Sequence, residues 1–276
     1  MSRLAVRESF DVPIDEVSGL CTVSLERVEH VVVVGDRDTT IGWAPWEQGR
    51  PGEWRTLTVS DLADCPEDAG QFEAVATSGE GRIVILAEEP ALLMEVDLAE
   101  QACVGWWHLD VTADRRLAKR WDADENSRGE GLLLGRDGQV LVVKEKDPVL
   151  TVVFGPVDVV EGAPSTDSHN GWGTSPWSGP RDHSLVVQAW SPLGGAPADI
   201  SDATVWDGSV WVLSDQDRLV ARLEQGADAW LVADTFPLDK GIAKPEGLAV
   251  TGDGSVLIAM DSRDRTGALV RVDPPR

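Results

Sequence analysis

Tyrosine is absent from this 276-residue chain, histidine occurs four times and cysteine three times. Cys21, Cys65 and Cys103 are odd in number and widely spaced, with no CxxC and no histidine pair at zinc-ligand spacing. That pattern argues against a disulfide framework and a zinc finger, and leaves packed thiols of a reducing compartment. Basic residues are also scarce: 24 Lys and Arg face 48 Asp and Glu, a formal net charge of −24. Nucleic acid and anionic membrane both require a basic footprint, so neither is an expected partner. No apolar run approaches the roughly 18 residues of a membrane helix, and Met1 to Pro13 lacks the apolar core of a secretion signal. A cytoplasmic protein is expected. No GxSxG, P-loop, HExxH or Rossmann fingerprint is present.

What the chain does contain is a weak internal repeat. Five units open on an acid or serine followed by small or apolar residues: Ser18-Gly19-Leu20, Glu73-Ala74-Val75, Glu130-Gly131-Leu132, Asp202-Ala203-Thr204 and Glu246-Gly247-Leu248. In four of them a glycine-containing turn precedes a β-branched run, at Gly79-Glu80-Gly81, Asp137-Gly138, Asp207-Gly208 and Asp253-Gly254. Glycine accepts the positive φ that a tight hairpin requires, so each unit starts with a hairpin. The first unit is expected to turn through a longer, glycine-free stretch around Leu25 to His30. Third and fourth strands follow, except that the last unit lacks a fourth, which Leu4 to Val12 can supply. The expectation is an all-β fold, a five-bladed β-propeller of four-stranded antiparallel blades whose last blade is closed by the N-terminal strand. Residues 1–276 form one domain, with blades at about 14–60, 70–112, 128–192, 200–238 and 244–276 plus 3–12.

Two stretches interrupt the pattern. A Gly-, Ser- and Pro-rich insertion at 161–182 holds His169, Trp172 and Trp177, and strand order puts it on the face opposite the acid-bearing ends. Asp114 to Arg120 reads as a short helix. With Arg115, Arg116, Lys119, Arg120 and Arg128 this connector either folds over the acids as a counter-charge or is simply solvated.

In a propeller the start of a blade's first strand and the end of its second share a face. Ser18, Glu73, Glu130, Asp202 and Glu246 stand at the starts, and Asp36, Glu88, Glu145, Asp215 and Asp261 at the hairpin ends, at separations of 18, 15, 15, 13 and 15 residues. Carboxylates converging on one channel mouth repel unless cations, shared protons or donors neutralise them. A hard divalent cation meets that need, calcium above magnesium, because it accepts many oxygens in flexible geometry. Glu73, Glu130, Asp202 and Glu246 are the candidate metal ligands. Ser18, Asp36, Glu88, Glu145, Asp215 and Asp261 are candidate contacts to a small molecule or cation in the mouth. The competing reading is that each acid accepts backbone N–H groups of the next blade and recurs because the blade recurs. Lys144 and Lys146 flank Glu145 and could clamp a ligand carboxylate or phosphate. The function read here is a metal- and ligand-binding propeller without an assigned reaction. The alternative is a metal-dependent hydrolase or lactonase, in which the ion polarises an ester and activates water, or a tailoring enzyme of a bacterial biosynthetic pathway.

The repeated Ser/Glu-Gly-Leu starts resemble those of the SdiA-regulated β-propeller family, related to esterase-like phytase propellers. So do Val142-Val143-Lys144-Glu145-Lys146-Asp147-Pro148, Val210-Trp211-Val212-Leu213-Ser214-Asp215 and Lys244-Pro245-Glu246-Gly247-Leu248-Ala249. The resemblance runs from about Glu16 to Val272 and implies a five-bladed propeller with an acidic, calcium-binding channel mouth. It places Glu73, Glu130, Asp202 and Glu246 as channel acids, and Lys144, Glu145 and Lys146 at the charged hairpin end. One departure is local: Asp202-Ala203-Thr204 stands where Ser-Gly-Leu is usual.

Overall fold

The computed structural model describes residues 3–37, 39–123, 128–157, 171–173, 176–227, 229–261 and 268–275. Short runs rich in Val, Ile, Leu and Trp, each stopped by a turn, fold as strands. In chain order, β1 (Val6–Asp11) precedes β2 (Val17–Leu25), β3 (Val28–Gly35), β4 (Thr40–Glu47), the two-residue β5 (Arg50–Pro51) and β6 (Arg55–Thr58). Next come β7 (Gly70–Gly79), β8 (Arg82–Glu89), β9 (Leu92–Asp97) and β10 (Ala102–Asp110). Helix α1 (Arg115–Trp121) leads to β11 (Gly129–Leu134), β12 (Val140–Lys144), β13 (Leu150–Gly155) and β14 (Ser184–Pro192). The chain continues through β15 (Asp202–Trp206), β16 (Ser209–Ser214), β17 (Leu219–Gln225) and β18 (Trp230–Pro237). It finishes with β19 (Pro245–Val250), β20 (Val256–Met260) and β21 (Ala268–Val272).

The described strands form four hydrogen-bonded sheets rather than five separate ones. β15-β16-β17-β18 is a four-stranded meander, and β19-β20-β21 is completed by β1, which pairs antiparallel with β21. The first sheet is β2-β3-β4, extended by β6 and by the small ribbon β5. The remaining two meanders, β7 to β10 and β11 to β14, merge into one eight-stranded sheet because their outer strands β10 and β14 pair in parallel. His108, Leu109 and Asp110 lie opposite Ser184, Leu185 and Val186. The physical reason is edge satisfaction: unpaired N–H and C=O groups on two neighbouring edges find each other. The first strands pack as a closed ring, β2 on β7, β7 on β11, β11 on β15, β15 on β19 and β19 on β2. Apolar clusters fill the wedges between adjacent meanders, for example Val34, Trp43, Phe72, Ile85 and Met94.

Local chemistry explains the deviations from expectation. The β2–β3 turn is two residues long, with Glu26 and Arg27 both at positive φ (53° and 67°) and Leu25 paired to Val28. The Arg27 amide donates to Glu80 Oε1 at 3.0 Å, which holds a turn that glycine would adopt unaided. Asp114 caps α1 by accepting from the amides of Arg116 and Leu117 at 2.8 and 3.0 Å. Trp190 Nε1 donates to the other Asp114 oxygen at 2.7 Å, tying the helix to β14. Arg115, Arg116, Lys119 and Arg120 are exposed, and Arg120 lies over the Trp190 ring at 5.3 Å. The helical cations are therefore solvated. Most of the 161–182 insertion lies outside the described residues, His169 included. Its Trp177 is buried and donates from Nε1 to the Gln139 carbonyl, at the turn end of the β11–β12 hairpin.

Candidate functional site

Four of the five first strands carry a β-bulge at the residue singled out by the repeat. In β2 the pairs Val17↔Gly35 and Gly19↔Val34 leave Ser18 as the extra residue. Glu73 is extra between Phe72↔Ala87 and Ala74↔Leu86, and Glu130 between Gly129↔Lys144 and Gly131↔Val143. Glu246 is extra between Pro245↔Met260 and Gly247↔Ala259. A bulge inserts one residue and re-aims its side chain. Ser18, Glu73, Glu130 and Glu246 all line one cavity of about 710 Å³. The small residue that follows serves packing: a Cβ on Gly131 would stand 2.8 Å from Ala203 Cβ, and one on Gly247 would stand 2.6 Å from Leu20 Cβ. The Glu-Gly-Leu signature is thus an acid on a bulge followed by a contact to the neighbouring first strand.

Asp202 is arranged differently. β15 pairs with β16 without a register slip, from Asp202↔Leu213 to Trp206↔Ser209. Asp202 is fully buried, and its carboxylate accepts from the amides of Ala203 at 2.7 Å and Leu248 at 2.6 Å. Burial pushes its pKa well above the usual carboxylate range, and the amides of Leu248, Ala203 and Leu20 oppose that shift. It spans to β19 as a packing acid and does not line the cavity; Ser201 and Asp199 occupy that sector instead.

The hairpin ends Asp36, Glu88, Glu145, Asp215 and Asp261 line the same cavity. Glu88 accepts from the Arg128 amide at 2.8 Å. Lys146 also faces the cavity and pairs with Glu145 Oε1 at 2.7 Å. Lys144 does not: it is fully buried, and Nζ donates to the Lys146 carbonyl at 2.5 Å, bracing the turn. Sequence reasoning missed Lys244, which lines the cavity and pairs with Asp261 Oδ2 at 2.5 Å. It also missed Glu16, Arg37, Gln71, Asp199 and Gln216. Three of these share one structural position that no sequence pattern marks. Glu16, Gln71 and Lys244 each stand two residues before a bulge at positive φ (51°, 51° and 42°). The carbonyls of Glu16 and Lys244 accept from the hairpin-end amides of Asp36 and Asp261.

Charge is poorly compensated inside the cavity. Burial, followed by repulsion from other carboxylates, raises Glu73 and Glu130 well above the usual range. Glu246 is pushed up to about 8 by burial and then by Asp215, with Lys244 opposing. Asp36, Glu88 and Asp215 are raised for the same first reason. Glu145 Oε2 and Asp261 Oδ1 are buried without a hydrogen-bond partner, and the Asp261 side chain is only 9% exposed. Among the described residues no three His, Cys, Asp or Glu side chains stand close enough to enclose a bare ion. The donor chemistry, all hard oxygen, nevertheless suits a calcium-type cation that keeps part of its water.

A ring of packed antiparallel sheets around an acid-lined cavity defines a propeller-type protein. The fold is similar to that of Myxococcus xanthus glutaminyl cyclase, with a TM-score of 0.55 and 14% identity over 99% of this chain and 98% of that one. It is also similar to the PQQ-bound aldose sugar dehydrogenase of Streptomyces coelicolor, with a TM-score of 0.54 and 12% identity over 98% and 97% of the two chains. At such identities the likeness concerns fold alone. The chain belongs to the SdiA-regulated family, whose sequence profile matches residues 63–261. No curated protein matches it by sequence. Among the described residues no helix is long and apolar enough to cross a membrane.

Proposed function

We propose that this chain is a five-bladed propeller whose acidic cavity binds a divalent cation, calcium by its donor set, together with a small ligand. The blades are β2-β3-β4-β6, β7 to β10, β11 to β14, β15 to β18, and β19-β20-β21-β1. Glu73, Glu130 and Glu246 hold the hydrated ion. Lys146 and Lys244, each already beside a carboxylate, meet an anionic group of the ligand, with Ser18 and the outer acids around it. The observation that carries this reading is the set of half-buried carboxylates turned by bulges into one cavity, beside the buried, unpartnered oxygens of Glu145 and Asp261. Unpaired buried charge is costly, and a bound cation removes that cost.

Calorimetric titration of calcium into chelator-treated protein tests it. Binding is expected, with a rise in Tm, and Glu130→Gln should weaken it by about tenfold or more while leaving the fold intact. Absence of heat together with a Tm indifferent to chelator and calcium would overturn the reading.

A further inference from the structure

The β15–β16 hairpin meets the acidic cavity at one end and a second cavity, of about 420 Å³, at its Asp207-Gly208 turn. The two share no lining residue among those described. Val205 of β15, Val210 of β16 and Leu223 of β17 line the second one together with two indoles, Trp172 and Trp230. All five belong to the apolar cluster between the β11–β14 and β15–β18 meanders. Trp172 is seated firmly. The Gly173 amide donates to the Leu134 carbonyl at 2.8 Å, and a Cβ on Gly135 would stand 2.7 Å from the Trp172 ring, which therefore lies across the end of β11 where glycine leaves room. Trp230 opens β18 and is paired in register with Gln225, the last residue of β17.

Two polar residues of the lining decide which chemistry suits it. Arg222 pairs with Glu224 Oε1 at 2.9 Å and with Asp234 Oδ2 at 2.6 Å, so its charge is already answered and an anion gains little there. Gln225 also lines the cavity, and its Oε1 is buried with no hydrogen-bond partner among the described residues. A buried acceptor left unpaired is costly. The terminal torsion of glutamine is broad, so a turn of the amide offers that oxygen to a donor in the cavity. We infer that this cavity is a second binding site, for a neutral aromatic ring carrying one O–H or N–H donor. The ring packs against Trp172 and Trp230 and against the side chains of Val205, Val210 and Leu223, and the donor meets Gln225 Oε1. The volume falls within the roughly 300–1,000 Å³ of small-molecule sites. A pyranose also stacks on indole, but several of its hydroxyls would be turned to Val205, Val210 and Leu223, which answer none of them. The inference does not depend on a cation binding at the other end of the hairpin.

Calorimetric titration of β-naphthol and of its methyl ether into the full chain tests it. The naphthol should bind at one saturable site, about tenfold or more tightly than the ether, which lacks the donor. Gln225→Leu should bring the naphthol down to the affinity of the ether. Trp172→Ala, at a half-buried position outside the strands, should weaken both ligands by about tenfold while the chain still unfolds cooperatively. Affinity for the naphthol should be the same in chelator and in calcium, which separates this site from the acidic cavity. Absence of saturable binding, equal affinity of the parent for naphthol and ether, binding indifferent to both substitutions, or binding of methyl glucoside in place of the naphthol would each overturn the inference.

Discussion

Glu246 keeps its proton to about pH 8 because burial removes water from its carboxyl and Asp215 stands nearby. Its folded pKa therefore lies above the unfolded value of 4.5, and the folded state binds more protons between those limits. Stability present at pH 4.5 is lost as pH rises towards 8, by about 1.4 kcal/mol for each pKa unit of separation. A melting series from pH 5 to 8 in chelator should show Tm falling, and calcium should restore it most at the alkaline end. Glu246→Gln removes the titration, so its chelated Tm should be flatter with pH and higher than the parent's at pH 8, with weaker calcium binding. Asp202→Asn should do the reverse. One of its two accepting oxygens becomes an NH₂ facing an amide, which costs about 1–3 kcal/mol in denaturant unfolding, while calcium affinity stays unchanged. The residue types of the cavity are legible in the repeat, but residue type alone does not separate Asp202 from Glu73, Glu130 and Glu246. The Asp202 carboxylate is drawn to the Leu248 amide of β19, a contact with a neighbouring strand that no local spacing reports.

At the scale of elements, hairpins with Asp-Gly turns and alternating apolar runs could be read directly, since period and turn chemistry are local. Bulges could not, because the extra residue exists only relative to a partner strand. The parallel join of β10 to β14 was equally hidden, being a contact between segments that share no local pattern. The glycines after the bulged acids bridge the two levels: visible as a motif, they are explained only by the strand next door. Gly247→Ala places a methyl 2.6 Å from Leu20 Cβ and 3.0 Å from Ala259 Cβ, atoms that cannot swing aside without moving backbone. It should destabilise by about 1–3 kcal/mol in denaturant unfolding, and Gly131→Ala should behave alike against Ala203.

For the molecule as a whole, the closing of the last meander by β1 was legible because the fifth unit lacks a strand and the N-terminus has one of the right length. Removing residues 1–12 would strip β21 of its partner and take Leu4 and Val12 out of the core. An open edge of that kind recruits other chains, so the truncated protein should form aggregates visible in light scattering where the parent does not. The eight-stranded sheet bears on movement. Glu73 and Glu88 belong to one of its meanders, and Glu130 and Glu145 to the other; the β10–β14 ladder rivets the two at their outer edges. These four acids form a fixed jaw. If the proposed ion binds, any tightening around it is expected from the opposing side, where Glu246, Asp261 and Lys244 sit on a sheet with no such rivet among the described strands.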